Sequence, residues 1–97
     1  MQHIENIKKI IDAHKQEIME KYYVSEIGVF GSYVRDEQET GSDIDILVSF
    51  KKPIGFIKFM RLEFYLSELL GQKVDLVTKE ALKPNIGSLI LKEAQYV

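Results

Sequence analysis

Cysteine is missing from this chain, so neither disulfides nor thiolate metal cages hold it together. An excess of one charge is missing too. Thirteen Lys plus Arg stand against fifteen Asp plus Glu, giving a formal charge of −2 and a pI near 5.7. Without a broad positive field the surface does not suit a protein that grips a polymer of phosphates, and a long nucleic acid is not the expected partner. Uncharged runs are short, well below the roughly 18 to 20 apolar residues of a membrane span. Charges also occupy the N-terminal stretch where a secretory leader would be apolar. The expectation is a cytoplasmic protein without membrane contact. Internal repeats, low-complexity segments and linkers are absent as well.

What remains is 97 residues, 45% hydrophobic and 29% charged. That is enough apolar side chain for one core and too little chain for two, so residues 1–97 are read as a single domain. Ile4, Ile7, Ile10, Ile11, Ile18 and Tyr22 recur at helical spacing and predict one surface helix over about residues 4–22. His14 lies on or beside its apolar stripe, where a partly buried histidine satisfied by a neighbour is the plain reading. Val24 to Phe30 reads as a strand that stops at Gly31-Ser32. Arg35 to Ser42 is too polar for the core and is read as a loop, opened by a turn of helix after Ser32.

Asp43 to Phe50 predicts a second strand with Ile44, Ile46 and Val48 on one face and Asp43, Asp45, Leu47 and Ser49 on the other. A helix over about residues 55–70 follows, closed by Gly71. It carries so many apolar residues that it is expected to bury two sides, one of which is a possible meeting place for a partner or a second copy of the chain. Lys73 to Thr78 predicts a third strand with Asp75 in its middle. Thr78 is expected to cap a short helix, and Asn85 a last helix bearing Ile86, Leu89, Ile90 and Ala94. The fold class is therefore α/β or α+β, a small mixed sheet flanked by helices.

Three carboxylates interrupt strands that are otherwise apolar. Alternation puts Asp43 and Asp45 on one face about 6.5 to 7 Å apart along the strand, and Asp75 joins them if its strand is adjacent. Clustered like charges repel unless something neutralises them, and hard divalent cations with oxygen ligands do so. Mg²⁺ suits one or two carboxylates together with substrate phosphates. Gly31-Ser32 lies where a strand runs into a helical turn, a place where free backbone N–H groups meet phosphate. Ser32 adds a hydroxyl donor and Arg35 a forked cationic contact. Each piece alone has a plainer reading, as a turn, a loop pair or a solvated charge. Their combination at one edge of one sheet points to a nucleoside triphosphate site.

Gly31-Ser32, ten residues, then Asp43-Ile44-Asp45 and a later Asp75 resembles the signature of the DNA polymerase β-like nucleotidyltransferase superfamily. Gly31 to Arg35, Ser42 to Val48, Lys73 to Val77 and the closing Ile90 to Val97 are similar to the minimal nucleotidyltransferase family over essentially the whole chain. One departure is visible: Asp36 stands where that family commonly has Gly after the Arg, which leaves the path of the loop open.

The resemblance implies a polymerase β-like nucleotidyltransferase fold in which Asp43, Asp45 and Asp75 are catalytic and bind two Mg²⁺. It implies further that Gly31 and Ser32 hold the β- and γ-phosphates of ATP, and that Arg35 steadies the triphosphate or pyrophosphate. An acceptor hydroxyl would attack the α-phosphorus in line. Larger relatives carry a further domain for the acceptor, and 97 residues leave no room for one, so the acceptor is expected on another molecule. Minimal nucleotidyltransferases resemble the antitoxin halves of two-gene systems whose partner is a helical HEPN ribonuclease toxin. The implied reaction moves AMP from ATP to a tyrosine of that toxin. The alternatives are an antitoxin that works by binding alone, and transfer to a small hydroxylated substrate or an RNA end.

Overall fold

The computed structural model describes residues 3–82 and 84–97, with the side chain of Ile86 outside the description. The helical periodicity of the first segment is real, but it forms two helices, α1 (Ile4–Ala13) and α2 (Lys15–Tyr22). His14 breaks the ladder between them with φ −113° and ψ 10°. Its ring is satisfied locally, Nδ1–H donating to the Ile10 carbonyl oxygen at 3.0 Å. The bend keeps Ile7, Ile11 and Ile18 all fully buried. α2 ends on Tyr23 in the left-handed region (φ 56°), with the ammonium groups of Lys52 and Lys58 at 4.0 and 4.7 Å from its ring centre.

Strand β1 (Val24–Phe30) runs into a 3₁₀ turn at Gly31–Tyr33, and β2 (Ile44–Phe50) returns antiparallel to it. α3 (Gly55–Leu70) then crosses back so that β3 (Val74–Thr78) lies parallel to β2. A 3₁₀ turn at Lys79–Ala81 follows, without a side-chain cap from Thr78. α4 (Pro84–Glu93) begins one residue before the expected cap at Asn85, because Pro84 has the fixed φ that suits a first helical position. The chain closes with a strand the sequence reading lacked, β4 (Gln95–Tyr96), paired antiparallel with β1. The sheet order is β3-β2-β1-β4.

Alternation does what the pattern demands on one face of the sheet. Ile44, Ile46 and Val48 of β2 join Ile27 and Val29 of β1 and meet Ile7, Ile11, Ile18, Leu62, Leu66 and Leu70 from the helices in one buried cluster. Edge strand β3 is held from the side by α3: Ser67 Oγ accepts from the Val74 N–H at 3.0 Å, and Glu63 Oε2 accepts from the Leu76 N–H at 2.9 Å. Those amides would otherwise be an unpaired sheet edge.

The expectation that α3 buries two sides is corrected. Leu62, Leu66 and Leu70 face the core, while Phe56 (74% exposed), Ile57, Met60 and Phe64 (65%) stay in solvent. Ile57, Met60 and Phe64, with Lys58 and Arg61, border a groove of 660 Å³ that reaches Tyr22 and Tyr65. No helix among the described residues is long and apolar enough to cross a membrane.

Candidate active site

β1 delivers Gly31 and β2 delivers Asp45 to the same end of the sheet, because Phe30 and Asp45 are paired across the hairpin. Gly31 has φ +80°, and a methyl group there would run into the Asp45 carboxylate. Only glycine gives both the backbone turn and the close approach. β3 adds the third carboxylate in register: Asp45 and Asp75 are partners in the parallel ladder. Adjacent strands lie about 4.8 Å apart, so the two side chains leave the same face as neighbours. Asp43, immediately before β2, lies one alternation step away on that face and leans towards Lys73 Nζ at 3.8 Å.

Gln72 ties together the segments that carry these groups. Its Nε2 donates to the Tyr33 hydroxyl at 2.5 Å and to the Ser42 carbonyl at 3.3 Å. Tyr33 is itself buried beneath the turn. The loop between Arg35 and Ser42 is thus pinned at both ends, and Ile44 N–H donating to the Lys73 carbonyl (2.9 Å) continues the tie into β3. Asp36 sits at φ 57°. The backbone at the departure from the family pattern is therefore the left-handed one that glycine favours, and Asp tolerates it better than most residues.

The electrostatics match the geometry. Burial pushes the Asp45 carboxyl up to about 6, helped by the negative charges of Asp75 and Asp43 and opposed by Arg35. Asp75 is exposed at the edge and Asp43 half-exposed. Among the described residues no three acidic or histidine side chains converge tightly enough to cage an ion by themselves. The donor set nevertheless fits a hard cation: it is all oxygen, it opens towards solvent, and its partly buried member, Asp45, is disfavoured as an anion by desolvation and by its neighbours. Such groups gain most from a positive charge placed between them.

Arg35 is not idle. Its Nη1 donates to both carboxylate oxygens of Glu93, at 2.7 and 2.9 Å, and its Nε donates to Glu37 at 2.8 Å. Both partners raise its affinity for the proton, Glu93 foremost. Glu93 Oε2 also accepts from the Gly31 N–H at 3.0 Å. Glu93 is the functional-site residue that sequence reasoning missed. It lies 58 and 62 positions from its partners, within the closing stretch that carries the family likeness but for which the sequence reading named no role. Ser32, half-buried beside Gly31, gives its carbonyl to the Glu37 N–H at 2.9 Å. The structure brings Gly31, Ser32, Asp43, Asp45 and Asp75 to one edge, with Arg35 beside them but engaged by glutamates. The exposed α3 groove shares no lining residue with this edge.

Residues 11–97 match the family described as the nucleotidyltransferase domain. The protein adenylyltransferase MntA of Thermococcus cleftensis is 51% identical over 94 residues, covering 97% of this chain and 95% of that protein. Among solved structures, one provisionally described as a minimal nucleotidyltransferase superposes with a TM-score of 0.81 at 30% identity, covering 97% of this chain and 95% of its own. A second, a tri-AMPylated HEPN toxin of Shewanella oneidensis in complex with its MNT antitoxin, superposes with a TM-score of 0.64 at 25% identity over 94% of this chain and 67% of that one.

Proposed function

This chain belongs to the nucleotidyltransferase domain family, and from that premise we propose that it is a Mg²⁺-dependent protein adenylyltransferase antitoxin. In this reading it moves AMP from ATP onto a tyrosine of a cognate HEPN-type ribonuclease toxin. The observation that carries the proposal is the in-register pairing of Asp45 with Asp75 beside Gly31, with Asp43 one step along the same face. The adenylyltransferase relative and the AMPylated toxin complex support the choice of nucleotide and acceptor.

Asp43, Asp45 and Asp75 would hold two Mg²⁺, which when bound supply charge stabilisation for the entering and leaving oxygens of an in-line displacement. The chain's own residues do the rest. Gly31 N–H and the Ser32 hydroxyl receive the β- and γ-phosphates at the head of the 3₁₀ turn, and Arg35 adds its guanidinium there. Asp75, exposed on the edge strand, faces the incoming hydroxyl and accepts its proton. The tyrosine oxygen bonds to the α-phosphorus, the α–β bridging bond breaks, and pyrophosphate leaves. Residues 1–97 act as one minimal transfer domain, with the acceptor brought by the partner.

A specific observation favours a second reading, in which the chain neutralises its toxin by occlusion. The solvent-facing row Phe56, Ile57, Met60 and Phe64 is more apolar surface than a transfer site requires. Incubation with Mg²⁺, α-labelled ATP and the toxin separates the two. Label on the toxin with wild-type protein and none with Asp43→Ala, Asp45→Ala supports transfer. Toxin still silenced by that unlabelling double variant supports occlusion and rejects transfer as the means of neutralisation.

A further inference from the structure

The Gly31 N–H and the Arg35 guanidinium are the donors that the nucleotidyl-transfer reading aims at phosphate, and both already hold an anion supplied by the chain. Glu93 accepts from Gly31 at 3.0 Å and takes both of its contacts from Arg35 Nη1 at 2.7 and 2.9 Å. A carboxylate and the edge of a phosphate offer the same pair of oxygens to such donors. One set of donors cannot serve both in full. Resting on that reading of the site, we infer that Glu93 is a built-in competitor for the phosphate cradle, and that a triphosphate enters by displacing its carboxylate.

The surroundings of Glu93 favour exchange over coexistence. Asp43, Asp45 and Asp75 already make this edge strongly negative, and a fourth carboxylate beside a bound triphosphate would oppose it across a few ångströms. The Glu93 side chain is 22% exposed and carries rotatable bonds of its own, so its carboxylate would leave by rotation towards solvent without moving the helix. It is the last residue of α4, on a tail paired with β1 at Gly28–Tyr96 and Val29–Gln95, with the Val97 N–H donating to the Ile27 carbonyl. Arg35, 51% exposed, keeps Glu37 as its second carboxylate when Glu93 leaves.

Calorimetric titration of the whole protein with inorganic tripolyphosphate, and with ATP and Mg²⁺, tests this. Glu93→Gln and Glu93→Ala are expected to bind both about tenfold more tightly than wild type, the scale of one charge-assisted contact removed from the competitor. Glu37→Gln removes a charge from the same arginine without freeing Gly31, and is expected to gain no more than about twofold. Weaker or unchanged binding by both Glu93 variants overturns the inference and makes Glu93 a brace for the cradle. An equal gain from Glu37→Gln overturns it in favour of plain charge.

A measurement on the wild type guards against a variant that loosens the fold. By NMR, the Gly31 amide and the Glu93 side-chain carboxyl are expected to shift together as tripolyphosphate is added. Movement of Gly31 with Glu93 unchanged rejects displacement. The two proposals fail separately: carboxylate-dependent toxin labelling with no tightening in the Glu93 variants rejects displacement alone. Tightening without any labelling rejects transfer alone, and no binding by any variant overturns both.

Discussion

On the helix-covered face of the sheet, Ile44, Ile46 and Val48 of β2 are shut away from solvent among the apolar side chains of three helices. One residue along the same strand, on the opposite face, Asp45 sits beside Asp75 with its carboxyl pushed up to about 6 by burial and by like charge. The two faces share a backbone, so they share rigidity, but they differ in what they contribute. The first supplies the free energy that holds the strand straight. The second draws on that free energy to keep three carboxylates closer than they would choose. The difference teaches that mutations on one face should act through stability and on the other through chemistry.

The sharpest way to break that comparison is to mutate neighbours. Asp45→Asn is expected to lower AMP transfer by on the order of a thousandfold, as when a metal-binding carboxylate is lost. The variant should melt no lower than wild type when both are free of divalent cations. Ile46→Ala is expected to do the reverse, costing about 3 kcal/mol in urea unfolding as a core cavity opens, with transfer per folded molecule within about twofold of wild type. If Asp45→Asn destabilised the cation-free protein, the division between the faces would be wrong.

A smaller effect sharpens it by pH. The folded state holds the Asp45 proton up to about 6, against 3.8 for the ordinary carboxyl, so between those values the folded protein binds a proton that the unfolded chain releases. Cation-free stability from this group is complete below about pH 4 and is lost as pH rises through 6, by about 2 kcal/mol after allowance for its partial exposure. Denaturation curves at pH 4 to 7 should show this slope in wild type and not in Asp45→Asn. Mg²⁺ at pH 7.5 should raise the melting temperature of wild type alone. The smallest change is expected at Asp36→Gly, where the backbone is already left-handed. It should alter stability by less than about 0.5 kcal/mol and leave transfer unchanged, as a melt and a labelling assay would show.

Much of the carboxylate face was legible because it breaks a rule. Asp43 and Asp45, at alternate positions at the start of an otherwise apolar strand, have no cheap structural explanation once Asp75 in the middle of β3 is taken with them. Gly31 was legible because the strand pattern stops there. Legibility ended where contacts are remote or weakly encoded. Glu93 reaches Gly31 and Arg35 from 62 and 58 positions away in the sequence, and Gln72 clasps Tyr33 and Ser42 from a position that reads as an ordinary loop residue. The break at His14 left the hydrophobic period intact, so periodicity could not reveal it. β4 is two residues long, too short for alternation to show. The row Phe56 to Phe64 read as doubly buried because composition reports how apolar a helix is, and not whether anything covers it.

Two anchored amides flank Asp75 on the edge strand. Val74 and Leu76 each donate to a side chain of α3, Ser67 and Glu63 respectively, while their own side chains sit in the core. Were β3 to slide by one residue, both hydrogen bonds would break, the apolar pair would swing to water and Asp75 would be driven into hydrocarbon. Misalignment of the chemical groups is thus not a milder version of the native protein but a different, far less stable one. Molecules with a faulty site would be discarded in folding, so those that survive carry their carboxylates correctly aligned.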